Sequence, residues 1–209
     1  MRMTRRQLAL IGAASSLVVV AGTGFVVWRA GILGGADLLQ PGPLGEQAIG
    51  AGDAPNTIIE YASMTCPHCA AFAINTFPAL KKRYIDTGKA RFIFREFPLD
   101  RLALAAAMLP RCSDDDRFFA MVDLLFKTQR TWLVEEPLAP LLSVAQQEGF
   151  TEDRLKGCLA NQKILDGIDW VRARATDKFK ITSTPTFFIN GKMHVGDISI
   201  EEIERLMSL

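Results

Sequence analysis

The sequence lacks a strong charge of either sign. Its 24 basic and 23 acidic residues leave a net +1 over 209 residues, which removes any electrostatic argument for nucleic acid or a highly charged partner. Histidine is scarce. With only His68 and His194 present, a zinc site would have to recruit cysteines as well. There are four cysteines, too few for so long a chain to be a cystine-stapled miniprotein. No internal repeat occurs, and no low-complexity tract lies outside residues 34–56. Acidic residues are absent ahead of Asp37, where four of the arginines lie. The remainder therefore carries 20 basic and 23 acidic residues, a net of −3, which suits a soluble domain.

What stands at the N-terminus is an export pattern. Arg2, Arg5 and Arg6 precede an uncharged run from Gln7 to Trp28, apolar from Leu8. A basic segment followed by an apolar one is an export signal. The run is also long enough to remain as a membrane anchor, basic end inside and the rest outside. "TRRQLAL" resembles a twin-arginine signal, with Ala9 and Leu10 departing from the usual ending. Gly34 and Ala36 would allow cleavage before Asp37. Residues 1–36 thus read as signal or anchor, the membrane's only contact with the chain, and 37–56 as a Gly/Pro-rich lead-in.

The rest alternates. "TIIEYA" (57–62) is a buried, β-branched strand. A helix follows from Cys66 to about Asp86, with Phe72, Thr76, Leu80 and Tyr84 on one face and Pro78 expected to kink it. "RFIFREF" (91–97) is a second buried strand. Residues 99–180 are helical, about five helices, one of them starting at Ser113. "TFFI-NG-KMHV" (186–195) is a hairpin signal with Asn190-Gly191 as a type I′ turn. "SIEEIERLM" closes the chain with a Ser199/Glu202 capping box. The first strand, helix and second strand form a right-handed βαβ unit. The hairpin makes the sheet mixed. The fold class is α/β, with 57–98 and 181–209 forming the sheet domain and 99–180 an inserted helical domain. Trp132 and Trp170 read as core, and His194 as an ordinary strand residue.

Cys66 and Cys69 frame "CPHC" between the first strand and the helix. A helix N-terminus presents free N–H groups and a positive dipole end, which stabilise a thiolate. The thiolate is the nucleophile of disulfide exchange. Cys69, one turn on, can resolve a mixed disulfide. Pro67 costs no hydrogen bond in the first turn. His68 offers a donor or a positive charge. A lower thiol pKa stabilises the dithiol and makes the disulfide a stronger oxidant. Zinc would need two further ligands, for which only His194, Cys112 and Cys158 remain. Haem attachment needs histidine after the second cysteine, where Ala70 stands. A structural disulfide with so small a loop would add little stability. The redox reading is the one the context favours, with no metal and no cofactor.

"EYASMTCPHC", the helical insertion and "STPT" before the terminal hairpin together resemble the DsbA-like thioredoxin-fold thiol–disulfide oxidoreductases of bacterial envelopes, over about residues 50–209. "GDAPNTIIEYASMTCPHCAAF" looks like the alphaproteobacterial-type branch. The resemblance implies a thioredoxin fold with a helical insertion. It implies Cys66 as the exposed attacking thiol and Cys69 as the buried resolving one. It implies a cis Pro185 that lets the Thr184 backbone pair with a substrate strand. It places Glu60 as a buried acid that exchanges the resolving thiol's proton. Some relatives carry a second, non-catalytic disulfide in the insertion. Here that would be Cys112–Cys158, worth about 4 kcal/mol by loop closure, two buried free thiols being the alternative. The implied activity is oxidation of unfolded, cysteine-containing exported proteins in the periplasm, with a quinone-linked, DsbB-like membrane partner as reoxidant. Thr184 stands where well-known oxidants have valine and isomerase-like relatives often have threonine. An isomerase or reductase, or a non-catalytic copper-binding or holding protein, are the competing readings.

Overall fold

The computed structural model describes residues 35–208. The export signal or anchor read from residues 1–36 lies almost wholly outside the described residues. Among those described, no helix is long and apolar enough to cross a membrane.

A helical turn α1 (Gly35–Leu38) and a short strand β1 (Gln47–Ile49) precede the central strand β2 (Asn56–Ala62). After β2 the chain turns into α2 (Pro67–Ala71), passes through a π-helical turn (Phe72–Thr76) into α3 (Phe77–Leu80), and closes with a second π-turn (Lys81–Ile85). The predicted effect of Pro78 appears here as a widening. A proline clashes with the carbonyl four residues back and has no N–H to bond it. The preceding turn accordingly spans five residues, Phe77 N–H reaching Phe72 O, the usual way a helix absorbs such an insertion.

β3 (Ala90–Glu96) then runs parallel to β2, and β4 (Thr186–Ile189) and β5 (Lys192–Val195) form the antiparallel hairpin. Asn190 and Gly191 both have positive φ, 49° and 82°, as a type I′ turn requires. The sheet order is β1-β3-β2-β4-β5. The segment read as a lead-in therefore supplies an edge strand, β1 pairing antiparallel with β3. Leu38 is buried and Leu44 packs so closely on Gly167 that a Cβ there would lie 2.4 Å from Leu44 Cγ.

Between β3 and β4 lie α4 (Arg101–Cys112), a 3₁₀ turn (Asp115–Arg117), α5 (Phe118–Lys127), α6 (Gln129–Trp132), α7 (Leu138–Gln146), α8 (Glu152–Leu159) and α9 (Gln162–Phe179). α10 (Ile200–Met207) ends the chain, capped by Ser199 accepting from Glu202 N–H. The expected helix start at Ser113 is corrected. Ser113 ends α4, its hydroxyl bonding back to Leu109 O, and α5 begins five residues later.

Alternation along the strands builds two apolar layers. Ile58, Phe92, Phe94 and Phe187 face α2, α3, α10 and most of the helical block, with Phe94 meeting Phe118 and Phe126 edge-on. That core runs unbroken from the sheet into the insertion. Ile59, Tyr61, Ile93 and Phe188 face Leu38 and the α9 residues Val171 and Ala175. Trp132 is fully buried, but Trp170 is 38% exposed with Arg174 over its ring, so the core reading of Trp170 is corrected. Its helix places it beyond the buried stripe of Ile164, Ile168, Val171 and Ala175.

Candidate active site

The site lies where β2 gives way to α2. Ser63 O accepts from Cys66 N–H at 3.1 Å, closing a tight turn. Cys66 keeps extended φ/ψ (−78°, 121°) as the N-cap, and Pro67 occupies the first helical position, where its missing N–H costs nothing. The cap side chain is thus a thiol, with the first free N–H groups of the helix below it. Two further bonds hold this turn. Thr65 Oγ1 donates to Asp100 Oδ2 at 2.7 Å, and Leu99 N–H donates to Ser63 Oγ at 3.3 Å. Asp100 uses its other oxygen to cap α4 through Ala103 N–H.

Facing the thiol is the loop before β4. The Thr184–Pro185 peptide is cis, and the Thr184 carbonyl accepts a hydrogen bond from Cys66 Sγ at 3.2 Å. This loop lies against the sulfur, so the expectation of an exposed attacking cysteine is corrected: Cys66 is 5% exposed and Cys69 fully buried. Both are free thiols in this structure.

The two sulfurs are held in opposite electrostatic settings. The Cys66 pKa falls to about 5. The Cys69 thiol donating to it is the largest cause, followed by the Thr184 hydroxyl and the N–H groups of Cys69 and His68, against the opposing effect of burial. The Thr184 hydroxyl is buried and has no partner in hydrogen-bond geometry. It acts as a neighbouring dipole, as do the Cys69 thiol and the helix N–H groups, while Cys66 Sγ donates to Thr184 O. Cys69 is pushed well up, first by burial, then by donating to Cys66 and by the charge of Glu60. The predicted role of His68 is narrowed. Its N–H serves the thiolate, while its exposed imidazole makes no hydrogen bond among the described residues.

Glu60 is buried on β2, as the resemblance implied, and is 3% exposed. Burial raises its carboxyl well above the usual range, and the charges of Cys66 and Asp197 add to this. Its Oε1 has no hydrogen-bond partner. It borders a cavity of about 30 Å³ walled by phenylalanines, among them Phe72, Phe92, Phe94 and Phe126. Burial favours the protonated form of a carboxyl so placed, which makes it a group able to give or take one proton beside the pair.

Cys112 and Cys158 are joined by a disulfide that ties α4 to α8 across 46 residues. The structure thus brings Glu60, Cys66, Pro67, His68, Cys69, Thr184 and Pro185 together and sets the second cysteine pair apart in the insertion. Asp100 and Thr65 were missed as site residues. The helix-cap position of Asp100 could have been read from "DRLALAAA", but not its bond to Thr65, 35 residues away.

The sequence profile of the family described as Thioredoxin matches residues 44–208. A Rickettsia bellii protein provisionally named protein-disulfide oxidoreductase is 36% identical over 148 residues, 70% of this chain and 57% of that one. The chain spans little more than half the length of the curated Rickettsia relatives it matches. Among solved structures, Wolbachia pipientis alpha-DsbA1 is 34% identical with a TM-score of 0.74, covering 82% of this chain and 95% of that one. BdbD of Bacillus subtilis is 25% identical with a TM-score of 0.70, covering 81% and 97%. The cysteine pair at a helix start, the cis-proline loop against it and the helical insertion agree with these likenesses: the chain belongs to the thioredoxin family and, within it, to the DsbA-like thioredoxin-fold proteins.

Proposed function

We propose that this protein is an envelope disulfide oxidase acting through Cys66 and Cys69. The observation that carries the reading is the asymmetry of the pair: Cys66 ionises at about 5 while burial holds Cys69 protonated. A dithiol with one strongly stabilised thiolate is a stable product, so its disulfide is a good oxidant.

In the reaction a thiolate of an unfolded exported protein attacks Cys66 Sγ of the Cys66–Cys69 disulfide. The new S–S bond forms as the old one breaks, and Cys69 leaves with the electron pair and takes up a proton. Glu60, protonated, is the nearest buried acid to supply it. The substrate's second thiolate then attacks its own sulfur in the mixed disulfide, and Cys66 leaves as the stabilised thiolate. The substrate gives up two electrons to the protein and its two thiol protons to solvent; Cys69 is left a thiol, Cys66 a thiolate, and Glu60 is re-protonated from solvent. The Thr184 backbone is the strand edge on which the substrate chain would pair. A quinone-linked, DsbB-like membrane protein would take the electrons back. The pattern of residues 1–36 supports export of the domain, by the twin-arginine route, or its tethering to the inner membrane.

Thr184 supports isomerisation as the second reading, because its unpartnered hydroxyl gives the cis-proline loop a polar group beside the sulfurs. Equilibration of the full chain with glutathione buffers, together with turnover on a reduced peptide, separates the two. A potential near about −120 mV with stoichiometric oxidation of the peptide supports the oxidase. A potential near about −270 mV, or rearrangement of scrambled disulfides without net oxidation, overturns it.

A further inference from the structure

Besides Leu99 and Asp100 at its start, the helical insertion reaches the reactive turn through a buried amide. Gln129, at the start of α6, is 6% exposed. Its Nε2 donates to Met64 O at 2.8 Å and to Cys66 O at 3.0 Å. Both bonds cross more than sixty residues of chain. Met64 and Cys66 flank Thr65 on the turn that presents the thiol. The Cys66 carbonyl also accepts the Ala70 N–H at 3.2 Å as the first bond of the helix.

Four facts make this more than packing. A carbonyl oxygen carries partial negative charge, and two of them sit on the turn that must hold a negative sulfur. One –NH₂ group has two donors and covers both. The same two bonds fix the plane of the Cys66 peptide. That plane sets the start of α2 and so the direction of the His68 and Cys69 N–H groups. The amide is itself immobilised. α6 is anchored by Trp132, fully buried, whose Nε1 donates to Leu125 O at 2.9 Å. We propose that Gln129 is a positioning residue of thiol–disulfide exchange, by which the inserted helical block holds the Met64–Cys66 turn in the geometry that receives charge on Cys66. The inference rests on Cys66 being the attacking sulfur, and on nothing about the direction of electron flow.

The test is the 240 nm thiolate absorbance of the reduced full chain, titrated with pH, in three variants. Gln129→Met keeps the length and removes both donors. Gln129→Glu keeps the shape and offers oxygens where donors stood. Leu141→Ala loosens the same helical block from its buried α7 position without touching the turn. The expected result is a thiolate midpoint raised by about half a unit to one unit in both Gln129 variants, the size of one net hydrogen bond, and unmoved in Leu141→Ala despite a lower Tm. An unmoved midpoint in a folded Gln129 variant overturns the proposal, as does an equal rise in Leu141→Ala, which would make the effect general loosening. Should Gln129→Met fail to fold, Gln129→Glu decides by the same criterion. Failure of the underlying reading looks different: Cys66→Ala would retain the low-pH absorbance step.

Discussion

Cys66 Sγ donates a hydrogen bond to the backbone carbonyl of Thr184 at 3.2 Å, across 118 positions of chain. That carbonyl is an acceptor and favours the protonated sulfur. The remaining polar neighbours, the Cys69 thiol, the Thr184 hydroxyl and the N–H groups of Cys69 and His68, favour the thiolate. The donors win, and ionisation breaks the Thr184 contact.

The first prediction follows from the largest donor. Thiolate absorbance of the reduced protein should rise with a midpoint near 5. In Cys69→Ala the midpoint should move up by about one to two units, as expected for a lost hydrogen bond to a charged group. Cys69→Ser, which keeps a donor, should move it less. A midpoint indifferent to both variants would mean that the helix N–H groups alone hold the charge.

Glu60 carries the second prediction. Its folded pKa lies above its unfolded value of about 4.5, so the folded state holds a proton that the unfolded state has lost. Stability must then fall as pH rises from about 4.5 towards the raised value. Glu60→Gln has no such loss. Denaturant unfolding should show the two proteins closest near pH 4 and the variant gaining by up to about 1.4 kcal/mol per pH unit above it. A gap that narrows with rising pH contradicts the assignment. The same variant should slow disulfide exchange by about a hundredfold or more if the carboxyl moves the Cys69 proton.

The third concerns the buried pair of Arg111 and Glu96, their side chains 6% and 1% exposed. Arg111 also donates to Leu44 O, which ties the segment before β1 to α4. Arg111→Leu leaves Glu96 as an unpaired buried charge and should cost about 3–5 kcal/mol. Arg117→Leu breaks a pair with Glu148 in which the arginine is half exposed, and should cost under about 1 kcal/mol. Guanidinium midpoints of the two variants compare them directly; similar losses would refute the contrast.

The fourth is the disulfide of the insertion. Closing 46 residues of sequence removes unfolded-chain entropy worth about 4 kcal/mol. The double variant Cys112→Ala, Cys158→Ala should lose about that much in equilibrium unfolding. A loss under about 1 kcal/mol would show that the unfolded chain is already constrained there.

Much of this arrangement was legible before any coordinates. "TIIEYA" and "RFIFREF" are β-branched and aromatic runs too short for buried helices, and Asn-Gly is the turn that a two-residue hairpin needs. The cysteine spacing at a strand-to-helix junction points to the thiolate, and Glu60 between Ile59 and Tyr61 points to a buried acid. Other features left no local trace. β1 is three residues, "QAI", held by pairing with β3 and not by any periodicity. Ser113 carries the composition of a helix start but ends the helix before it. Trp170 is large and apolar, yet its angular position on α9 sets it outside the buried stripe. The bonds of Thr65 to Asp100 and of Gln129 to the reactive turn join residues 35 and more than sixty positions apart, and only tertiary structure brings those together.

The distance along the chain between Cys66 and Thr184 also orders events in time. A chain that has emerged as far as α9 already holds the CPHC segment, both partners of the second disulfide and most of the helical core. It does not yet hold the Thr184 carbonyl, nor the strand β4 that closes β2 on its other side. Long-range pairing of this kind is the slow part of folding. The reactive sulfur therefore meets the Thr184 carbonyl, and the strand edge beside it, only once β4 has paired with β2.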